Sequence, residues 1–134
     1  MAYGTGESKA LGAGERAGIL ASYKAAYGKA PSTESDWQDV LKIGAGRFPT
    51  MASATAETNA KTSFKKIYKR DANMSNANDS AAVTIMAYGL RPSSRNLNSE
   101  SAAIKTFKSV YGKNPSSAID WDAARAISYS GAKR

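Results

Sequence analysis

The stretch Phe107-Lys108-Ser109-Val110-Tyr111-Gly112-Lys113-Asn114-Pro115-Ser116-Ser117-Ala118-Ile119-Asp120-Trp121 decides how this chain folds. Phe107 and Tyr111 stand four residues apart with Val110 between them, so all three fall on one face of a helix. Gly112 then supplies a residue that tolerates the left-handed conformation in which helices end, and Pro115 bars continuation. Ser117-x-x-Asp120 opens a second helix. A serine oxygen can cap a free backbone N–H there, and an acid three residues on suits the positive end of the helix dipole. The segment reads as helix, turn, helix.

The same grammar recurs upstream. Tyr27, Tyr68 and Tyr111 follow one another at spacings of 41 and 43 residues, each with an aromatic four residues before it: Tyr23, Phe64 and Phe107. One residue before the tyrosine come Ala26, Ile67 and Val110, and eight before come Ile19, Ala60 and Ala103. Second helices open at Thr33-x-x-Asp36, Asn76-x-x-Asp79 and Ser117-x-x-Asp120, followed by Trp37, Ser80 and Trp121. They close at Gly44-Ala45-Gly46, Ala87-Tyr88-Gly89 and Ser128-Tyr129-Ser130-Gly131, and all four prolines fall between expected helices. Agreement among caps, stops and periodicity predicts an all-α protein of three helix-turn-helix repeats, 12–49, 54–92 and 97–134, in a single domain spanning 1–134. About six helices result, as a compact bundle or a short α-solenoid. The compact form is favoured, because a short solenoid exposes much of its apolar surface. Ala2-Tyr3-Gly4 resembles the end of a second helix, so residues 1–11 read as the remnant of a preceding repeat or a flexible arm.

The middle repeat departs from the pattern. Lys69-Arg70-Asp71-Ala72 replaces the Gly/Pro stop, so its first helix is expected to run on or to end less sharply. Ser80 replaces tryptophan, which leaves a hole for Met74 to fill or a groove for a partner's side chain.

Composition removes whole classes of chemistry. The chain has no Cys and no His, which excludes disulfides, thiolate and Ser/His/Asp catalysis and the commonest zinc ligands. The nearest carboxylate pairs, Asp36 with Asp39 and Asp120 with Asp122, are explained by the helix dipole or face apart. No enzymatic activity, cofactor or metal is expected. A net charge of +8 favours polyanionic partners such as nucleic acid or acidic cell-wall polymer. No apolar run is long enough to span a membrane, so no membrane insertion is expected, and Met1 to Gly4 does not begin a signal peptide.

The third repeat carries a likeness. Arg95-Asn96-Leu97 to Glu100, Phe107, Tyr111-Gly112, Pro115, Asp120-Trp121-Asp122 and Ala126-Ile127-Ser128-Tyr129-Ser130-Gly131-Ala132-x-Arg134 resemble a tandem helical repeat of uncharacterised, often exported, proteins of candidate-phyla bacteria. The resemblance implies a repeat architecture and an envelope role, and it transfers no functional residue.

Two sets of basic residues keep register: Lys24, Lys65 and Lys108, one past the first aromatic, and Lys29, Arg70 and Lys113, two past the tyrosine. Stacked in parallel, each would form a row able to track phosphates or an acidic polymer. The second set also suits helix C-termini electrostatically. The periodic aromatics, both tryptophans included, are expected in the core. Tyr88 and Tyr129, at helix ends beside Arg91 and other basic residues, are the surface candidates. With Met74 and Ser80 these make up the expected protein-partner surface, the partner being another protein or neighbouring copies. Sequence-specific DNA reading is not expected. The inter-helix link is longer than the tight turn of DNA-binding helix-turn-helix motifs, and Gln38, Lys42 and Arg125 sit at unmatched positions.

Overall fold

The structure is a computed structural model that describes residues 13–92 and 94–134, with side chains from residue 16 onward. The expected remnant at 1–11 lies outside the described residues. Six helices are present among them: α1 Ala13–Tyr27, α2 Glu34–Gly44, α3 Ala54–Tyr68, α4 Ala77–Tyr88, α5 Leu97–Tyr111 and α6 Ala118–Tyr129. No strand occurs among these residues. The fold is all-α.

The helix ends are where local chemistry places them. Thr33 and Ser117 form full capping boxes with Asp36 and Asp120, and Asn76 caps α4 by accepting from the N–H groups of Asn78 and Asp79. Gly28 and Gly112 follow α1 and α5 with φ of 74° and 73°. The middle repeat's first helix does not run on, contrary to expectation. It stops at Tyr68 because Lys69 itself turns left-handed, at φ 62°, and its N–H caps Lys65 O.

Tyr23, Phe64, Phe107 and Ile67 are buried, and each i,i+4 aromatic pair has its ring centroids about 4.5 Å apart. Tyr27 and Tyr111 are partly buried at the core's margin. Trp37 is also half-buried against the core. Trp121 departs from expectation: it is 42% exposed, so it does not lead a buried stripe. The interior of α6 is held by Ala123, Ala124 and Ala126 instead.

Packing is not linear. The broadest interfaces join α4 to α6, α3 to α4 and α5 to α6, while α1 lies across α6 and α4 and α2 packs chiefly on α1. The first described helix thus closes against the last, giving a compact bundle. Its axis is α4, buried without interruption from Ala82 to Tyr88. Ser80 is half-buried and Met74 stands exposed, so Met74 does not fill a space left in the core.

Candidate polyanion-binding surface

Among the described residues most acids are drawn inward, while every lysine except Lys42 is exposed. Asp36, Asp79 and Asp120 each stand in the first turn of a helix and each meet the basic residue two past the preceding tyrosine: Lys29 at 3.6 Å, Arg70 at 2.6 Å and Lys113 at 2.6 Å. The second basic set is thus tied to structural acids within the fold. In the first pair the carboxylate side chain is 5% exposed and the lysine 55%. Backbone N–H groups of Ser32 and Thr33 hold Asp36 well below the ordinary carboxylate range, and Arg70 followed by the Asn73 N–H lowers Asp79 to about 2.

The other acids are similarly engaged. Asp39 accepts from the N–H groups of Thr50 at 2.7 Å and Met51 at 3.1 Å, pinning the α2–α3 loop. Tyr88 donates to Glu57 at 2.5 Å while accepting from the Ser53 N–H at 2.8 Å. Tyr129 repeats the arrangement with Glu100 and the Asn96 N–H. Each tyrosine so ties the end of one helix to the start of the one packed against it. Tyr88 is fully buried and Arg91 is 4% exposed, so neither lies at the surface where its position beside a helix end suggested. Tyr129 is partly buried. Burial, then the bond to Glu57, pushes the Tyr88 hydroxyl up to about 12.

Asp122 forms a node that the sequence did not disclose. Its Oδ1 accepts from Ser22 Oγ at 2.9 Å and Arg125 Nη1 at 2.6 Å, and Arg91 Nη1 lies at 3.6 Å. Arg91 also donates through Nη1 to Gly89 O and through its backbone N–H to Ile43 O, so the node joins α1, the end of α2, the end of α4 and α6. Burial pushes the Asp122 carboxyl up to about 6 against the pull of Arg125 and Arg91. The available signal was an acid inside a helix with no capping role, at a place where the other repeats have Gln38 and Ala81. A cavity of about 50 Å³ lies alongside, lined by Ala25, Ala60, Met86, Ile119 and Asp122 among others. That is room for a water or a methyl group. It borders neither Met74 nor Ser80.

With the acids engaged, the exterior is basic. From residue 16 onward only Glu34 and Asp71 are exposed acids, whereas every lysine except Lys42 is exposed. Lys24, Lys65 and Lys108 all sit exposed in the last turns of α1, α3 and α5, where they also complement the helix dipole. Lys65 is 3.4 Å from exposed Asp71. The described residues contain no group of three or more potential metal ligands, and no described helix is long and apolar enough to cross a membrane.

No family model, curated protein or solved structure matches this chain.

Proposed function

We propose that this protein is a non-catalytic helical interaction module whose partner is a polyanion held by the basic exterior. One observation carries the reading: carboxylates are drawn into caps, ties and the Asp122 node while lysines stay in solvent. The positive charge that makes up the net +8 is thereby concentrated at the surface. The absence of His and Cys and the use of most acids as backbone or tyrosine partners support a non-catalytic role. Fluorescence anisotropy at low salt with labelled random-sequence duplex DNA, heparin and polyglutamate tests it. At least one should bind in the micromolar range or tighter, and failure of all three to bind sinks the proposal.

A second reading, association with another protein or with further copies, has its own support. Phe48, Met51, Leu97, Ile119 and Trp121 are large apolar side chains left exposed. Sedimentation across a wide range of concentration separates the two: concentration-dependent mass in the absence of polyanion favours this one.

A further inference from the structure

The repeated sets place candidate rows across the repeats, but the geometry points to a row along one helix. We infer that the outward face of α3 is the phosphate-contacting surface for double-stranded nucleic acid, an inference that rests on the polyanion reading above. Lys61, Lys65 and Lys69 follow one another at four-residue intervals and all are exposed. Four residues of helix advance about 6 Å, so the three lysines form a strip about 12 Å long. Lys66 flanks the strip, its Nζ 4.7 Å above the Tyr111 ring centroid on α5, with its charge left accessible. Thr58 lies exposed on the same face and offers a hydroxyl of the kind that bonds phosphate oxygens, whereas the Thr62 hydroxyl donates to Thr58 O.

The conformation of Lys69 is a second, independent observation. At the matching places α1 and α5 are followed by Gly28 and Gly112, which take a positive φ without strain, whereas Lys69 takes φ 62° with a full side chain. Residues held in such conformations cluster at functional sites. Here Lys69 extends the strip by one turn. Asp71 is the acid paired with the strip, and its contact with Lys65 is an exposed one that a phosphate displaces.

The face favours duplex over single strands. Phe64 and Tyr68 are turned into the core, so no aromatic of α3 is presented for base stacking. What remains is contact with the backbone, and a duplex offers the denser array, about one charge per 1.7 Å of axis. Recognition is therefore independent of base sequence.

The test compares two charge-matched variants of the full chain by anisotropy on a random-sequence duplex. Lys61→Gln/Lys65→Gln/Lys69→Gln should weaken binding at least about tenfold and reduce the slope of log K against log salt by about 3. Lys24→Gln/Lys105→Gln/Lys108→Gln should change affinity less than about threefold. Lys69→Gly alone should bind more weakly while melting higher, which separates binding from loss of fold. Equal loss in the two triple variants overturns the α3 assignment while leaving polyanion binding intact. Polyglutamate bound as tightly as duplex, with the same dependence on α3, makes the partner an acidic polypeptide and overturns the nucleic-acid assignment. Absence of duplex binding by the unaltered chain, with heparin or polyglutamate still bound, overturns this inference alone.

Discussion

Lys69, Gly28 and Gly112 occupy matching places at the ends of α3, α1 and α5, and all three have positive φ. A side chain in that conformation costs on the order of 1–2 kcal/mol relative to glycine. Replacing Lys69 with Gly is therefore expected to stabilise the fold by about 1 kcal/mol, read as a rise in the denaturation midpoint at unchanged slope. Gly89 is the opposite case. A Cβ there would lie 2.6 Å from Asp122 Oδ1 and Ser22 Oγ, whereas one on Gly28 would meet nothing within 4 Å. Gly28→Ala should cost about 1 kcal/mol, and Gly89→Ala more than about 3 kcal/mol because it also breaks the buried node. Near-equal losses would contradict this account of Asp122. The glycines after α1 and α5 were readable because a stop signal is local. The demand on Gly89 was not, since it is made by side chains on α1 and α6, far away along the chain.

Helix boundaries were legible for the same reason. A Thr or Ser three residues before an Asp, or a Gly followed by Pro, acts within a single turn. The capping acids also set the response to pH. Asp36 and Asp79 titrate in the folded protein below their ordinary values, so their contribution is present above about pH 4 and is lost as pH falls toward about 2. Asp122 has the opposite sign: its folded value is raised to about 6, so its contribution is lost as pH rises through that value. Stability against urea should accordingly peak at about pH 4, falling below it as Asp36 and Asp79 are protonated and falling again between about pH 4 and 6 as the Asp122 contribution is lost. Asp79→Asn should flatten the acid limb and Asp122→Asn the limb between about pH 4 and 6. A rise that continues unbroken from pH 4 to 8 would contradict the buried Asp122. What no periodicity revealed was the role of α4. Its run from Ala82 to Tyr88 is buried all round, so it carries little amphipathic signal.

At the scale of the molecule, two long-range facts govern the rest. The contact of α1 with α6 closes the bundle, and the Ser22–Asp122 hydrogen bond spans 100 residues to hold it. Neither could be read from a pattern that treats each repeat as the same unit, because both depend on residues the repeats do not share. Core aromatics such as Tyr23, Phe64 and Phe107 were legible from spacing alone. Tyr88 and Trp121 were not, since exposure at a helix end or start depends on which helix lies beside it. The candidate surface was half legible: the excess charge and the lysine sets stand in the sequence, but the inward placement of the acids emerges only from the fold. That placement makes a quantitative claim about the exterior. The most direct test is the salt dependence of binding between the unaltered protein and a random-sequence duplex. With about four lysines releasing counterions, log K should fall against log salt with a slope near −3.6, or about a hundredfold between 50 and 200 mM. A slope near zero would contradict the account.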